Sequence, residues 1–294
     1  MTSNKLVVKP LTGALGAELF GVDLAALTDA EFDEIYSAFL EYQVLVFRDQ
    51  SLSEQQFAEF GKRFGKLEVE PFLPFKSETV EGVYYLRGAP RDGKKLSTQN
   101  LGWHMDHSYL PNPTKAAMLY AVDVPDVGGD TLFASSHESY EGLSGAMQAI
   151  LADKIAIHDV LQYGLKSGHN SVATVKGIEM LAKLRESRPP VEHPLICEHP
   201  ETRRKMLFIN KAWTTAIKGL HKNESDALLD MLFAHSLKDI YQCRVRWQNK
   251  SLVIWDNRAV QHSPNSDYTG QRHMMRLAVH SDWVPSDQFD LISE

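Results

Sequence analysis

Apolar residues recur at helical spacing in two stretches near the start of the chain. The first stretch follows Thr28 and Glu31, which match a capping box, the side-chain pairing that opens many helices. Its apolar face consists of Phe32, Ile35, Tyr36, Phe39 and Leu40. The second stretch follows Ser53 and Gln56, another capping-box pair, and ends at Gly65. Its apolar residues are Phe57, Phe60 and Phe64. The pattern predicts two helices whose aromatic side chains pack into a core.

Elsewhere the pattern consists of short apolar runs separated by turn residues, which is typical of strands. The predicted strands are two within 5–25, then Val44–Phe47, 116–122, 131–133, 193–198, 206–210, 244–247, 251–255 and 272–281. Two further helices are predicted at 144–154 and at 223–235, the latter opened by Asn223 with Asp226. Many short strands with helices concentrated at the front predict a mainly β, α+β fold, a β-sandwich or jelly roll with flanking helices. Because the sequence contains no repeat or linker, residues 1–294 are expected to form a single domain.

Two longer segments are polar and irregular. Residues 66–101 contain prolines at positions 71, 74 and 90 and precede a histidine-rich motif. They are expected to form a lid, a substrate loop or a plain surface loop. Residues 165–190 are predicted to be a polar, partly helical insertion or lid segment, closed by Pro189 and Pro190.

Composition and charge narrow the classes of protein. The 294 residues are 43 % hydrophobic and 23 % charged, with a formal net charge of −7 and no run of lysine or arginine. This argues against nucleic acid as a partner. No stretch approaches the ~20 apolar residues of a membrane span, and the start MTSNKLVVKP lacks the apolar core of a signal peptide. Cys197 and Cys243 lie far apart and are expected to be buried free thiols. The expectation is a soluble, cytoplasmic protein without a membrane partner.

Segment 102–108, with the sequence GWHMDHS, contains the first candidate metal ligands. If the segment is an extended strand, His104 and Asp106 point to the same side, because side chains two apart share a face. An imidazole and a carboxylate side by side, completed by a histidine from elsewhere in the chain, form the facial site that iron(II) oxygenases use. The H-x-D pattern alone is weak evidence in a chain with 12 histidines and 38 acidic residues.

The predicted strand at 272–281 carries two arginines. Alternation places Arg272, Met274, Arg276 and Ala278 on one face. The other face takes His273, Met275, Leu277 and Val279. Because neither face is purely polar, the strand is expected to be covered on both sides, with at least one arginine turned inward. A buried guanidinium keeps its proton and is costly unless an anion meets it. The anion is either a carboxylate of the protein or a carboxylate of a ligand.

Four ordered motifs together resemble one family. They are W-H-x-D ending at Asp106, G-G-D-T at 128–131, W-D-N-R-x-x-Q-H at 255–262, and an arginine ten residues later followed by another after four more. In this order and spacing they resemble the taurine dioxygenase/2,4-D dioxygenase (TauD/TfdA) family of iron(II), 2-oxoglutarate-dependent oxygenases. The similarity extends to segments 11–24, 46–50, 63–65 and 193–195, and so covers essentially the whole chain.

The resemblance implies a fold, cofactors and site residues. The fold would be a double-stranded β-helix, a form of jelly roll. His104, Asp106 and His262 would be the catalytic Fe(II) ligands, and Arg272 and Thr131 would bind the C5 carboxylate of the cosubstrate 2-oxoglutarate. The remaining positions on the metal would take the keto acid and O2. Decarboxylation of 2-oxoglutarate to succinate and CO2 would accompany hydroxylation of the substrate.

The resemblance also implies a small anionic or zwitterionic organic acid as substrate. Arg276 matches an arginine that meets the anionic group of the substrate in several members, and Asn100 matches a substrate-side asparagine. Where taurine dioxygenases place a histidine and a tyrosine, this chain has Glu70 and Leu73, which argues against taurine itself. If Glu70 faces the site, it would suit an amino group. Sulfonates, aryloxyalkanoates, sulfate esters and amino-acid derivatives are all compatible with Arg276.

Several aromatic residues and one further histidine are secondary candidates. Tyr109, Tyr163 and Trp213 are candidate pocket walls, although packing explains each of them equally well. His280 shares its predicted strand face with Arg276. Members of the family are commonly dimers or tetramers, so a homo-oligomer is expected.

Two other classes of function use the same residues. A zinc-dependent hydrolase would hold a bound water on the same His/Asp/His set and would act without O2. A non-catalytic jelly-roll binding protein would not need the three ligands. The two arginines at 272 and 276 and Thr131 favour the oxygenase, because the hydrolase assigns them no role.

Overall fold

A computed structural model describes residues 6–69, 75–88, 102–161 and 175–286, and the structural statements below concern these residues. The helices are α1 (Asp29–Tyr42), α2 (Glu54–Lys62), α3 (Ser136–Glu141), α4 (Gly145–Leu151), α5 (Val175–Ser187) and α6 (Lys222–Ser236). The first strands are β1 (Val7–Pro10), β2 (Ala17–Phe20), β3 (Val44–Phe47), β4 (Tyr84–Gly88), β5 (Ala116–Asp123), β6 (Thr131–Ser135), β7 (Ile155–His158) and β8 (Val191–Pro194). The others are β9 (Ile196–Glu198), β10 (Lys205–Leu207), β11 (Thr214–Ile217), β12 (Gln242–Val245), β13 (Leu252–Asp256), β14 (Val260–Pro264) and β15 (Arg272–Val279).

The strands that matter for the site form a larger and a smaller sheet. The larger sheet has the order β1-β2-β3-β13-β5-β15-β4 and is antiparallel except between β2 and β3. The smaller sheet has the order β12-β6-β14. One buried apolar cluster takes side chains from both sheets, including Leu119, Trp255 and Met274 of the larger and Phe133 and Val260 of the smaller. Two mainly antiparallel sheets packed over a shared core are the jelly-roll arrangement, so the predicted sheet-rich α+β class is confirmed.

Helices α1 and α2 cover the outer face of the larger sheet. Both predicted capping boxes are present, at Thr28 with Glu31 and at Ser53 with Gln56. The core between these helices and the sheet includes Phe32, Ile35, Phe39, Phe57 and Phe60. The larger sheet is therefore buried on both faces, and every residue of the central strands β3 and β13 is buried.

Strand β15 places its two arginines between the sheets. The core beneath the helices takes in Met275, Leu277 and Val279. Met274 instead joins the core between the sheets. Arg272 and Arg276 have the same parity along the strand as Met274, so both side chains leave β15 on the inner side. The strand is covered on both faces as predicted, and both arginines lie on the inner side.

Segment 102–108 is not the strand that the pattern predicts. His104 forms an isolated bridge with His262 of β14. Beginning at Asp106, the chain forms a turn and no longer runs alongside β14. His107 has a φ of +55°, which is incompatible with continued extension. The extended conformation therefore covers little more than His104 itself.

The structure also corrects two other elements. Strand β4 lies within 66–101, which is predicted to be irregular, and it pairs with β15 at the edge of the larger sheet. Helix α6 begins at Lys222, before the predicted opening residue Asn223, because the carboxylate of Glu224 accepts a hydrogen bond from the backbone N–H of His221.

Other predictions fall partly inside the described residues. Helix α5 accounts for the helical part of 165–190, whose residues up to 174 lie outside them. Cys197 and Cys243 are buried thiols that form no disulfide, as predicted. None of the described helices combines the length and apolar character needed to cross a bilayer.

Candidate active site

Three side chains from two distant parts of the chain converge between the two sheets. The Nε2 atom of His104 lies 3.5 Å from Oδ1 of Asp106, and the Nε2 atom of His262 lies 4.0 Å from the same oxygen. One nitrogen or oxygen atom from each of the three residues lies within 4.8 Å of the others. Among the described residues, this is the only such group of three histidine, cysteine or acidic side chains. The structure thus brings the three predicted ligands together.

Backbone hydrogen bonds hold two of these residues side by side. The N–H of His104 donates to the carbonyl of His262 at 3.0 Å, and the N–H of His262 donates back to His104 at 2.8 Å. His262 is itself fixed in β14, where it pairs with Phe133 of β6. The backbone pairing of His104 with His262 therefore holds the two imidazoles next to each other.

The ring of His104 is oriented by its other nitrogen. Nδ1 lies 2.8 Å from the carbonyl oxygen of Gly102, a distance at which it donates its proton. The lone pair of Nε2 then faces Asp106, which is the arrangement that metal-binding histidines adopt. Gly102 has a φ of +66°, a left-handed backbone conformation that glycine adopts more readily than residues with a side chain do. On the far side of the motif, the indole N–H of Trp213 donates to the carbonyl of Met105 at 3.1 Å.

The charges of the site favour a carboxylate and a neutral imidazole. Burial by itself would raise the pKa of Asp106, but Arg276, His104 and His262 together lower it well below its usual value. Nη2 of Arg276 lies 3.2 Å from Oδ2 of Asp106. Burial, helped by the neighbouring His104, lowers the pKa of His262 to about 3, although Asp106 opposes them. Metal ions bind deprotonated ligands, so these states suit a cation.

Arg272 is the second buried cation, and its Nε and Nη2 atoms have no hydrogen-bond partner among the described residues. Its guanidinium carbon lies 6.0 Å from the ring centroids of both Trp247 and Tyr268. Burial lowers the pKa of Arg272. Of the two anions that sequence analysis leaves open for an inward arginine, the described part of the protein supplies none to Arg272. A ligand carboxylate fits the two open donors.

Thr131 lies beside Arg272 through a shared neighbour. Its side-chain oxygen accepts the indole N–H of Trp247 at 3.0 Å, and the residue is almost fully buried. Because a hydroxyl both accepts and donates, its own O–H can still point toward an anion. A Cβ on Gly129 would lie 3.5 Å from Nε of Arg272, so the glycine leaves room beside the guanidinium.

The residues present fit the groups that the resemblance implies. Two imidazoles and one carboxylate are the donor set of a facial iron(II) site. The two buried N–H groups of Arg272, with the hydroxyl of Thr131, fit one carboxylate of a dicarboxylic acid.

The remaining predicted site residues have mixed positions. Tyr109 and Trp213 are buried and in edge-to-face contact, with ring centroids 4.7 Å apart. Trp213 hydrogen-bonds Met105 within the H-x-D motif, and Tyr109 follows three residues after Asp106. Glu70 and Asn100 lie outside the described residues, as do Leu73 and Tyr163. His280 is exposed beyond the end of β15 and pairs with Asp282 at 3.2 Å, so the structure does not bring it into the site.

Sequence reasoning misses three residues near the site. Trp247 and Tyr268 flank Arg272, and the side chain of Asn257 hydrogen-bonds the backbone of Asp106. Asn257 lies within W-D-N-R-x-x-Q-H, but its side-chain partners are remote in sequence. Trp247 ends the predicted strand at 244–247 and Tyr268 lies in a loop, and neither position by itself indicates a contact with Arg272.

Comparison with known proteins gives matches over nearly the whole chain. Residues 8–278 match the family model described as "Taurine catabolism dioxygenase TauD, TfdA family". The "(S)-phenoxypropionate/alpha-ketoglutarate-dioxygenase" of Sphingobium herbicidovorans is 34 % identical over 276 residues, which are 94 % of this chain and 95 % of that protein. The "Alpha-ketoglutarate-dependent sulfonate dioxygenase" of Saccharomyces cerevisiae is 33 % identical over 287 residues, or 93 % of this chain. The chain spans 66 % of that yeast protein, just under two thirds.

A solved structure agrees with the fold. The structure described as "AAD-2 in complex with Mn(II) and N-oxalylglycine" matches with a TM-score of 0.80 and 26 % identity, covering 96 % of this chain and all of that one. The matched region of the family model runs from β1 into β15, and so includes all three converging residues.

Proposed function

The chain belongs to the taurine catabolism dioxygenase TauD/TfdA family of Fe(II)/2-oxoglutarate-dependent dioxygenases, and from this premise we propose that it hydroxylates a small anionic organic acid. The substrate classes are sulfonates, aryloxyalkanoates, sulfate esters and amino-acid derivatives, the last including zwitterions. One domain carries the reaction, in which 2-oxoglutarate and O2 are consumed and succinate and CO2 are released. The observation that carries the proposal is Arg272, a buried guanidinium whose Nε and Nη2 atoms have no partner among the described residues. It lies on the same inner side of β15 as Arg276, which contacts Asp106 of the converging group.

The roles of the chain's own residues follow from their contacts. His104, Asp106 and His262 would hold Fe(II), which together with 2-oxoglutarate and O2 supplies the oxidising power for attack on a C–H bond. Arg272 and Thr131 bind the far carboxylate of 2-oxoglutarate and so fix its keto acid end relative to the three ligands. Because the rings of Trp247 and Tyr268 flank the guanidinium, water is kept from it and the ion pair with 2-oxoglutarate is strengthened.

Arg276 accounts for the preference for an anion. It lies on the inner side of the sheet, four residues from Arg272, and contacts Oδ2 of Asp106. A guanidinium presents five N–H donors in a planar fork, so it can bind more than one acceptor at a time. Its second role is to meet the acidic group of the substrate and hold a neighbouring C–H bond near the metal. The relatives support this, since sulfonate and phenoxypropionate, the substrates in their names, are both anions.

The alternatives receive no support from a specific observation. A zinc-dependent hydrolase leaves Arg272 and Thr131 without a role, and a non-catalytic binding protein leaves the three ligands without one. A homo-oligomer and the absence of nucleic-acid partners stay predictions.

The test is a screen for substrate-stimulated succinate formation. Protein reconstituted anaerobically with Fe(II) is first mixed with 2-oxoglutarate, and a weak visible absorption band is expected from the chelate. O2 is then admitted with one member of each acid class, and each acid is paired with a neutral ester or amide of the same carbon skeleton. We expect one class of acid to stimulate succinate formation and its neutral partner to fail.

Two variants make the screen specific. Arg276→Gln should raise the KM for the acid, whereas Arg246→Gln, at an exposed arginine outside the site, should leave it unchanged. Absence of the visible band in the wild type would contradict the oxygenase assignment. Equal stimulation by acids and their neutral partners would contradict the proposed substrate class.

A further inference from the structure

Asn257 lies in the turn between β13 and β14, five residues before His262, and its side chain is fully buried. Its carboxamide makes three hydrogen bonds, all to backbone groups. Oδ1 accepts from the N–H of Asp106 at 2.7 Å, and Nδ2 donates to the carbonyls of Asp106 at 2.8 Å and of Thr114 at 3.0 Å. One side chain therefore satisfies both backbone polar groups of Asp106.

The carboxamide takes the place of a neighbouring strand. At His104 the motif pairs with His262 through two backbone hydrogen bonds, as strands do. Two residues later the chain turns away, and the donor and acceptor of Asn257 replace those of a peptide group. Backbone hydrogen bonds thus join His104 to His262, and the side chain of Asn257 joins Asp106 to the turn before β14.

The turn that carries Asn257 is itself fixed on both sides. Asp256 and Arg258 form a buried two-pronged ion pair, with distances of 2.8 Å and 2.6 Å. The backbone N–H of Asp256 donates to Gln43 at 2.8 Å, and the N–H of Asn257 donates to Lys115 at 3.0 Å. The carboxamide is therefore held in place before any ligand arrives.

We propose that Asn257 is a positioning residue for the metal, which holds the carboxylate of Asp106 toward His104 and His262 in the metal-free protein. The hydrogen bonds of its side chain go only to the backbone of Asp106 and Thr114, and to no proposed ligand atom or arginine, so it would act through the backbone of Asp106. Removing a group that orients a metal ligand typically weakens metal affinity about 10- to 100-fold. The inference rests on the proposed iron site, but it predicts an effect on metal binding that can be measured without turnover.

Only a side chain with an adjacent donor and acceptor can serve. In Asn257→Asp the acceptor for Asp106 N–H remains, but the donor is lost and a negative oxygen faces the carbonyls of Asp106 and Thr114. In Asn257→Ser the charge is avoided, but the shorter side chain cannot reach all three partners. Both variants free the Asp106 backbone to turn.

Gln50 provides a matched control. It is also a buried carboxamide bonded to backbone, accepting from the N–H of Leu24 at 2.9 Å and donating to the carbonyl of Arg48 at 2.8 Å. None of its bonded partners is a proposed ligand. Gln50→Glu therefore makes the same chemical change as Asn257→Asp and carries a comparable cost in stability.

The experiment titrates each metal-free protein with Co(II), followed by its visible absorption, and then with Fe(II) in activity assays. We expect Asn257→Asp and Asn257→Ser to bind Co(II) about 10- to 100-fold more weakly than wild type, and Gln50→Glu to bind it normally. In Asn257→Ser, raising Fe(II) should restore turnover without changing the KM for 2-oxoglutarate, because Arg272 and Thr131 are intact. A purely structural role would not be rescued by metal.

Several results would overturn the proposal. One is normal Co(II) affinity in the folded Asn257→Ser or Asn257→Asp protein, and another is an equal loss in Gln50→Glu. If neither Asn257 variant folds, hydrogen exchange at the Asp106 amide of the metal-free wild type decides: slow exchange supports the proposal, and exchange as fast as in exposed turns overturns it. A wild type that binds neither metal would refute the proposed function itself, and the positioning role with it.

Discussion

Arg272 shows what a single buried residue can reveal about a ligand. A cation that is buried with open donors costs free energy in the metal-free protein, and a carboxylate that fills them recovers it. We expect Arg272→Gln to weaken 2-oxoglutarate binding by about 3 kcal/mol or more, roughly 10²-fold, because charged hydrogen bonds contribute about 1.5–3 kcal/mol each. The measurement is the KM for 2-oxoglutarate, together with anaerobic titration of the visible band.

Arg272→Gln also distinguishes two explanations of the buried arginine, a site for a ligand and a structural ion pair within the protein. If the anion were a carboxylate of the protein, Arg272→Gln would leave that carboxylate buried alone and destabilise the metal-free protein. Because Arg272 has no such partner among the described residues, the unfolding midpoint of the metal-free variant should equal or exceed that of wild type. An unchanged KM for 2-oxoglutarate, or a marked loss of stability, would contradict this account.

At the residue scale the sequence predicts which side chains matter better than what they contact. Strand alternation placed Arg272 and Arg276 on one face, and the structure agrees. Alternation cannot tell that Arg276 contacts Asp106 whereas Arg272 meets no carboxylate among the described residues, because both outcomes depend on distant segments. The role of Asn257 is hidden for the same reason, since its side-chain partners lie far away in the sequence.

The turn between β13 and β14 is the element on which the site depends most. Burial alone would raise the pKa of Asp256, but Arg258 and His199 lower it below its usual value. Arg258 also donates to Glu201 at 2.7 Å, and Glu201 accepts from the hydroxyl of Tyr36 in α1. The turn is thus tied to helix α1 and to the loop that follows β9.

We expect Arg258→Met to destabilise the protein by about 3–5 kcal/mol, because it leaves the buried carboxylate of Asp256 without its guanidinium partner. Chemical denaturation of the metal-free protein measures the change. Lys218→Met is the control: Lys218 and Glu192 pair at 2.7 Å but both are more than half exposed, so its loss should cost under about 1 kcal/mol. Equal effects of the two variants would refute a special role for the buried pair.

Elements with local signals are predicted well, and elements made by distant pairing are not. The two capping boxes open α1 and α2 where the sequence places them, because the bonds join residues three apart. Strand β4 is missed, since its place at the sheet edge comes from pairing with β15. The extended strand considered for segment 102–108 does not form, because the hydrogen-bond partner of the segment changes from a backbone at His104 to a side chain at Asp106.

At the scale of the whole molecule, several buried histidines are held neutral by the fold. Burial lowers the pKa of His137 and of His193 to about 4, and that of His158 well below its usual value. His193 lies with Nε2 3.0 Å from the carbonyl of Ser108, and His158 with Nδ1 3.1 Å from the hydroxyl of the same serine. His193 and His158 therefore hold the turn at Ser108, which follows the H-x-D motif.

These histidines make the fold sensitive to acid. In an unfolded chain histidine titrates near pH 6.5, so between about pH 6.5 and pH 4 the unfolded state binds more protons than the folded state. The stability they contribute is therefore full above about pH 6.5 and is lost as the pH falls through this window. Near pH 5.5 each histidine should contribute a slope of about 1 kcal/mol per pH unit.

Urea denaturation of the metal-free protein at a series of pH values tests this dependence. In His193→Gln, whose amide nitrogen can replace Nε2 as the donor to Ser108, the slope should fall by the contribution of one histidine. His280→Gln, at an exposed position, should leave it unchanged. A wild type whose stability is flat between pH 7 and pH 5, or equal slopes in all three proteins, would show that these histidines do not govern acid sensitivity.

The overall architecture is the most predictable level, because it depends on the number and type of helices and strands and not on single contacts. Many short strands with amphipathic helices at the front fit few arrangements, and the jelly roll is the one observed. Which strands become neighbours does not follow from periodicity, and the order of the larger sheet, with β13 between β3 and β5, is read only from the structure.

The pairing of His104 with His262 through their backbones bears on how the enzyme acquires its metal. A site whose ligands are already in place before metal binds can accept any divalent ion of similar radius. Co(II), Ni(II) and Cu(II) bind nitrogen and oxygen donors more tightly than Fe(II) does. Loading is then governed by which ions the cell keeps available. When iron is scarce, the enzyme would remain folded but carry another metal. Activity would then return at the rate at which that metal dissociates and not at the rate of new protein synthesis.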